Sequence, residues 1–343
     1  MSDADTAPRR RGRGLAVAFA ALLAAASLAA GAVAWALAPV DRAAGTVRFD
    51  VPAGSTLRRV ASELARAGLV RSELAMIALA RWRGAEGSLH AGEYELSAGW
   101  GTRRILEQIV AGRVVTYEVT LPEGLDAAQI AARLELAGVA RADAFLAVAR
   151  DPSVAAEFGV EGPGLEGYLF PETYQIPHGL TPKQVAKVLV DQFHRAWGEL
   201  AADASARGLS MREAVTLASI VEKETGAPEE RPLVASVFAN RLARHMRLDS
   251  DPTTIYGIAA FDGNLRRADL EDESNRWNTY RIDGLPPTPI ASPGAASLRA
   301  AVHPAETPYL YFVSRNDGTH VFAQSLAEHN ANVARYQKRA SSR

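Results

Sequence analysis

The sequence predicts an α+β protein that is attached to a membrane by a single helix. Three observations lead to this prediction. A long uncharged apolar run lies near the N-terminus, short β-type runs end at Pro-x-Gly turns, and several segments carry apolar residues at helical spacing. The chain has 343 residues, so the part beyond the apolar run is long enough for two or three domains.

The N-terminal region predicts a membrane anchor. Four arginines between residues 9 and 13 precede residues 15–38, which contain no charged side chain. This apolar run can span a hydrocarbon core of about 30 Å. By the positive-inside rule, residues 1–14 are a cytoplasmic tail and everything after the helix lies outside the membrane. A cleaved signal peptide is the alternative, although its apolar region is usually shorter, about 7–15 residues.

Composition excludes several kinds of site. The chain has no cysteine, which rules out disulfides, thiolate zinc sites and a cysteine nucleophile. The formal net charge of −1 gives no reason to expect a nucleic-acid partner. We expect neither a metal nor another cofactor.

An internal repeat follows the anchor. The segment that begins at Val51-Pro-x-Gly54 aligns with the one that begins at Leu121-Pro-x-Gly124, at a constant offset of 70 residues. Each copy predicts a strand, a turn, a helix and a terminating glycine. The N-cap of the helix is Ser55 or Thr56 in the first copy and Asp126 in the second. The unit resembles the LysM-type fold, a βααβ module that binds N-acetylglucosamine polymers. A spacer without sugar-binding activity is the alternative.

The later segments predict a mixed helical and extended region. Residues 165–174 are rich in Gly, Pro and aromatic residues, which indicates a rigid loop with rings either exposed to a ligand or packed between domains. Proline density indicates an extended wall at residues 277–294. The remaining predictions are one helix over residues 182–207, helices over 211–225 and 229–244, a hairpin of a buried strand 309–314 with 320–322, and a helix from 325 to about 339.

Two carboxylates end the helix predicted over residues 211–225. Glu222 and Glu224 lie beside its apolar face, where partial desolvation raises a carboxyl pKa and can keep the group protonated near neutral pH. Such an acid can protonate a glycosidic oxygen. At 100° per residue the two side chains lie about 200° apart, so only one faces a given cleft, and helical geometry does not decide which. A solvated helix end is the alternative interpretation.

Seven motifs in order carry a family resemblance. They are Leu165-Glu-Gly-x-Leu-x-Pro-x-Thr-Tyr174, Ala218-Ser-Ile-Val-Glu-Lys-Glu-Thr225, Val237-Phe-x-Asn-Arg-Leu242, Asp251-Pro-Thr-x-x-Tyr-Gly257, Asn278-Thr-Tyr280 with Gly284-Leu-Pro-Pro287, Pro293-Gly294, and Tyr309-Leu-Tyr-Phe312. Over residues 48 to 336 the chain resembles the endolytic murein transglycosylase (YceG-like) family. The resemblance implies a single-pass protein of the bacterial inner membrane. Its outer domain would cut the bond between N-acetylmuramic acid and N-acetylglucosamine in nascent glycan strands, leave 1,6-anhydro-muramoyl ends, and thereby terminate strand elongation.

The sequence patterns and the resemblance together predict an organisation and a set of partners. The segments are a cytoplasmic tail (1–14), a transmembrane helix (15–38), a tether (39–46), a LysM-like domain (47–114), a second strand–helix repeat or connector (115–160) and a catalytic domain (161–338). Expected partners are peptidoglycan strands and the lipid bilayer, with peptidoglycan synthases as candidate protein partners.

The family motif assigns the catalytic acid/base to Glu224, and Glu222 becomes a supporting carboxylate. Candidate supporting or substrate-binding residues are Asn240, Arg241, Asp251, Thr253, Tyr256, Asn278, Thr279, Tyr280, Glu166 and Tyr174. Asn240 and Arg241 are predicted either to contact the sugar or acid or to fix the following loop. Asp251 is predicted either to stabilise an oxocarbenium-like transition state or to cap the turn at Pro252.

Two positions depart from the family pattern. Asp249 stands where Gln is usual, and Thr288 stands where Gly is usual. Two other classes of function stay open at this stage. One is a glycan-binding scaffold without activity, and the other is a muramidase that adds water.

Overall fold

The computed structural model describes residues 9–337, with side chains from residue 16 onwards. Helix α1 spans Arg9–Leu37. Its segment Ala16–Leu37 is long and apolar enough to cross a membrane, with a mean hydropathy of 2.2 and none of its window buried within the protein. The prediction of an N-terminal apolar helix is therefore confirmed in length and composition.

The described chain divides into two compact units. The smaller unit extends to Thr116 and includes Pro177–Gly179. After α1 it contains β1 (Thr46–Val51), α2 (Leu57–Arg66), α3 (Glu73–Trp82), β2 (Gly92–Ser97) and α4 (Thr102–Val110). Strands β1 and β2 pair antiparallel, from Thr46 opposite Ser97 to Val51 opposite Gly92. Buried side chains of the helices pack with Tyr94 of β2 in a core of their own.

The larger unit comprises Tyr117–Ile176 and the residues from Leu180 onwards. Its elements are β3 (Thr116–Leu121), α5 (Ala127–Leu136), α6 (Ala142–Ala149), α7 (Pro152–Glu157), β4 (Glu172–Pro177), α8 (Pro182–Gly198), α9 (Ala201–Ala206), α10 (Met211–Glu224), a 3₁₀ turn (Pro228–Glu230), α11 (Arg231–Ala243), α12 (Asp251–Tyr256), α13 (Arg267–Glu271), α14 (Ala295–Val302), β5 (Tyr311–Ser314), β6 (His320–Ala323) and α15 (Leu326–Tyr336). Strand β3 pairs with β4, and β5 pairs with β6. The α+β class predicted from the sequence is confirmed.

The internal repeat has the same local structure in both copies. Gly54 and Gly124 have φ of 75° and 78° in the turns that precede the helices. Thr56 caps α2 by accepting a hydrogen bond from a backbone N–H, and Asp126 forms a capping box at α5. These contacts confirm the repeat and identify Thr56, rather than Ser55, as the first cap. The second copy shares one hydrophobic core with the helices that follow it.

The structure of the larger unit differs from three local predictions. Residues 182–207 form two helices, because the chain turns at Glu199 and places Leu200 in the core. The strand predicted as buried, β5, is only half-buried along its length. Residues 165–174 include the start of β4 rather than forming a loop throughout. Of the two alternatives for their aromatic rings, burial within the protein is the one observed.

Candidate active site

Helix α10 runs through the core of the larger unit and ends at the site. It begins at Ser210, which forms a capping box with Glu213, and residues 214–221 are all buried. Lys223 is exposed, as predicted. Because the body of the helix is fixed by packing, its last turn holds Glu222 and Glu224 in defined places.

Glu224 is half-buried and carries the properties of a proton donor. Burial raises its pKa to about 7, and the negative charge of Asp251 acts in the same direction. The hydroxyl of Ser250 donates a hydrogen bond to Oε1 of Glu224. This bond and the positive charge of Arg241 oppose the rise. The carboxyl is therefore protonated in a large fraction of molecules at neutral pH.

Two buried threonine side chains fix Ser250 beside this carboxyl. The backbone N–H of Ser250 donates to Oγ1 of Thr279 over 3.0 Å, and the hydroxyl of Thr253 donates to the carbonyl of Ser250 over 2.6 Å. The hydroxyls of Thr253 and Thr279 lie 2.8 Å apart. Both threonines are buried, so they position Ser250 and are not exposed to a ligand.

Asn278 and Tyr280, at the start of the proline-rich residues 277–294, support the same segment. Asn278 is fully buried and accepts a hydrogen bond from the hydroxyl of Thr254 over 2.9 Å. The hydroxyl of Tyr280 donates to Oδ1 of Asp251 over 2.7 Å. Asp251 is exposed at the first position of α12, which places a solvent-accessible carboxylate next to Ser250.

Asn240 and Arg241 fix neighbouring loops. The amide of Asn240 donates to the carbonyls of Thr307 and Tyr309 over 2.7 and 2.9 Å. The buried guanidinium of Arg241 donates to the carbonyl of Leu248 over 3.0 Å and to Oδ2 of Asp249 over 2.9 Å. These contacts correspond to the structural alternative raised for this pair, although Arg241 also acts on Glu224 through its charge.

Glu222 occupies a different environment from Glu224. Its carboxylate accepts from Nη2 of Arg231 over 3.2 Å and from the backbone N–H of Gly294 over 3.0 Å. Its side chain is only 6% exposed. Glu222 therefore connects α10 to α11 and α14, whereas Glu224 is the carboxyl suited to proton transfer.

Glu166 and Tyr256 lie together at a second position in the larger unit. The hydroxyl of Tyr256 donates to Oε2 of Glu166 over 2.9 Å, and the backbone N–H of Ala127 donates to both oxygens over 3.2 Å. Burial raises the pKa of Glu166 to about 7.

Tyr174 is buried in the core, and its hydroxyl donates to the carbonyl of Phe170 over 2.7 Å. Its side chain thus faces the protein rather than a ligand.

The two departures from the family pattern each provide a hydrogen-bond acceptor. Asp249 adopts a left-handed conformation with φ of 49° and pairs with Arg241. Thr288 accepts the indole N–H of Trp277 over 2.9 Å. A glycine at position 288 would remove that acceptor.

Ser250 is the contact that sequence reasoning missed. It lies next to Asp251, whose charge makes that residue a candidate, and no periodic pattern distinguishes the serine. Among the residues that the structure describes, no group of three or more His, Cys, Asp or Glu side chains is arranged to hold a metal ion.

Comparison with known proteins gives consistent matches across most of the chain. The model of the YceG-like family matches residues 49–335. A protein of Bacillus subtilis named endolytic murein transglycosylase is 31% identical over 317 residues, with 88% of each chain covered. A protein of the same name from Streptococcus pneumoniae is 30% identical over 332 residues, which cover 88% of this chain and 60% of that protein. A crystal structure of a yceG-like protein from Listeria monocytogenes superposes with a TM-score of 0.58 at 29% identity, covering 84% of this chain and all of that one.

Proposed function

Because the chain belongs to the YceG-like family, we propose that it is an endolytic lytic transglycosylase of peptidoglycan. It cuts the β-1,4 bond between N-acetylmuramic acid and N-acetylglucosamine within nascent strands and leaves 1,6-anhydro-muramoyl ends, which terminates strand elongation. The observation that carries this proposal is Glu224, a half-buried carboxyl with its pKa raised to about 7 at the end of a core helix.

The chemistry needs one group that first donates and then accepts a proton. The protonated Glu224 gives its proton to the glycosidic oxygen as the bond from that oxygen to C1 breaks. The 6-hydroxyl oxygen of the same muramoyl residue then closes on C1, and the Glu224 carboxylate takes the hydroxyl proton. No water is consumed, and the enzyme returns to its starting state. A pKa near the working pH serves both steps.

The neighbours of Glu224 have supporting roles in this scheme. Ser250 orients the carboxyl and stabilises its ionised form after the first transfer. Asp251, which is exposed beside it, supplies a negative charge toward the oxocarbenium-like transition state. Thr253, Thr279 and Asn278 act indirectly, by holding the segment that contains Ser250.

The apolar helix supports a location at the inner membrane. We infer that the chain crosses the membrane once, with its basic N-terminus in the cytoplasm and both compact units in the periplasm. The strand–helix–helix–strand order of β1, α2, α3 and β2 supports a LysM-like interpretation of the smaller unit. Glycan strands are then the substrate, and a peptidoglycan synthase is the candidate partner that supplies them.

Product analysis tests the reaction. The full-length chain in detergent is incubated with uncrosslinked glycan strands, and the products are identified by mass spectrometry. We expect 1,6-anhydro-muramoyl ends from the natural sequence. Glu224→Gln is expected to lower kcat/KM by about 10²- to 10⁴-fold, because it removes the general acid.

Glu222→Gln is the matched control, since it makes the same chemical change two residues away on α10. It is expected to keep the same products, with thermal unfolding measured alongside to separate a folding defect from a chemical one. Reducing ends one water heavier would instead identify a hydrolase. Absence of cleavage, or full activity of Glu224→Gln, would refute the proposal.

A further inference from the structure

A pocket of about 770 Å³ lies in the larger unit at the C-terminal end of α12, the end opposite Ser250. Its walls come from the start of α5, residues 162–168, the end of α12 and residues 288–290. This volume is in the range of sites that enclose a small ligand. Glu224 is not among the lining residues, so the pocket is a separate feature that the proposed reaction does not use.

The interior of this pocket, called here the α12 pocket, combines apolar and polar groups. Ile255, Ile258 and Phe261 supply apolar surface, and Trp277 presents its ring beside Tyr256 with centroids 5.4 Å apart. Apolar walls with a few fixed polar groups are typical of sites that bind an extended organic ligand.

The solvent-exposed side of the α12 pocket is basic. Arg150, Arg212 and Lys223 line it, and all three are exposed. Lys223 donates to the carbonyl of Gly124 over 3.2 Å. Within residues 16–337, neither Arg150 nor Arg212 forms an ion pair with a carboxylate. Two guanidinium groups are thus available to a ligand, and guanidinium binds carboxylates in bidentate geometry.

The acidic groups near this surface already have partners within the protein. Asp126 accepts the backbone N–H of Gln129 over 2.8 Å at the start of α5. Glu161 accepts the backbone N–H of Arg212 over 3.3 Å, and Glu166 accepts from Ala127 and Tyr256. Arg150 and Arg212, by contrast, have no carboxylate partner among residues 16–337, so a ligand that carries carboxylates gains charged contacts at this surface.

The α12 pocket lies within reach of a substrate held at Glu224. Helix α12 has six residues, which corresponds to about 9 Å at 1.5 Å per residue. Ser250 precedes this helix and contacts Glu224, whereas Tyr256 ends it and lines the pocket. An extended peptide covers about 9 Å with three residues, at roughly 3.3 Å each.

We propose that the α12 pocket binds the acidic peptide attached to the lactyl group of N-acetylmuramic acid. The peptide carries carboxylates that Arg150 and Arg212 can bind, whereas the N-acetylated sugars of the strand bring no charge to these groups. A peptide that starts on the sugar at Glu224 reaches the pocket within about three residues. This inference rests on the proposed function, and it adds a preference for strands with charged peptides.

The test compares two forms of one substrate with the full-length chain in detergent. Uncrosslinked strands are used with their peptides intact, or after the peptide carboxylates have been converted to amides of nearly the same shape. We expect kcat/KM to fall by about tenfold on the amidated strands, mainly through KM, since the ligand loses charged contacts at an exposed surface.

Variants then assign the preference to the pocket. The double variant Arg150→Gln/Arg212→Gln is expected to cut intact and amidated strands with the same kcat/KM, equal to the lower value that the natural sequence shows on amidated strands. Arg133→Gln/Arg207→Gln, which removes two exposed arginines outside the pocket, is expected to keep the tenfold preference. Equal kcat/KM of the natural sequence on both strands, or an equal loss on both strands in the pocket variant, would overturn the peptide assignment alone. Failure to cut either strand would refute the proposed function as well.

Discussion

Replacing Glu224 with glutamine is expected to stabilise the folded protein at alkaline pH while it removes activity. The folded-state pKa of this carboxyl is raised to about 7 from an ordinary value of 4.5. Below about pH 4.5 the group is protonated in both states and contributes nothing. As pH rises from 4.5 to 7, the unfolded chain releases its proton before the folded chain does, so stability falls, and above 7 the loss is complete.

The size of the effect follows from the pKa difference. One pKa unit corresponds to about 1.4 kcal/mol, so a rise from 4.5 to about 7 makes ionisation cost about 3 kcal/mol in the folded state. Glu224 is partly exposed, and solvent screening reduces this amount. Because glutamine cannot ionise, we expect Glu224→Gln to be more stable than the natural sequence by about 1–3 kcal/mol at pH 8 and nearly equal at pH 4.5.

The assay is thermal unfolding of the full-length chain in detergent at several pH values. Glu213→Gln is the matched control, because it makes the same change on the same helix. Hydrogen bonds from Ser210 lower the pKa of Glu213, so its contribution to stability is present at high pH and lost as pH falls. Glutamine can take the place of glutamate in a capping box, so this substitution changes only the charge. The control is therefore expected to be less stable than the natural sequence at pH 8.

The two variants are expected to change stability at pH 8 in opposite directions, which makes the comparison decisive. A Glu224→Gln variant that loses stability at pH 8, or gains equally at pH 4.5 and 8, would contradict the assignment of a neutral, desolvated carboxyl. An ordinary solvated glutamate at a helix end would give no difference at either pH.

Three further substitutions test the surroundings of Glu224 and the fold that holds it. Ser250→Ala removes a hydrogen bond that lowers the pKa of Glu224, so the alkaline limb of the pH profile of kcat/KM is expected to move to higher pH. Asp251→Asn removes a charge that raises this pKa and is expected to move the limb to lower pH; a limb that moves in neither variant would refute both assignments. Gly167→Ala is expected to destabilise the protein by more than about 2 kcal/mol in thermal unfolding, because φ is 86° and a Cβ would lie 2.4 Å from Cβ of Pro289; unchanged stability would contradict this packing.

Local sequence was sufficient to predict the repeat. A strand, a turn glycine, a cap and a terminating glycine depend on neighbours within a few residues, and Asp126 and Gly138 behave as their positions indicate. The break at Leu200 was missed because residues 182–207 keep good helix formers throughout. Burial of Leu200 in the core depends on tertiary packing, which the helical pattern does not contain.

The distinction between Glu222 and Glu224 also depends on distant residues. Their angular distances from the centre of the apolar face of α10 are nearly equal, so helical periodicity does not show which of them faces the cleft. The difference arises from Arg231 and Gly294 at one carboxyl and Ser250 at the other. Only the family motif could supply that choice at the level of sequence.

The surroundings of the two carboxyls at the end of α10 explain why they differ. Glu222 contacts the guanidinium of Arg231 and the backbone N–H of Gly294, the N-cap residue of α14, so it joins three helices. Glu224 accepts a hydrogen bond from the hydroxyl of Ser250, and burial outweighs this contact and raises its pKa to about 7. One helix terminus thus holds one carboxyl in structural contacts and the other as the proposed proton donor, and the proposed mechanism with a single acid/base needs only the second.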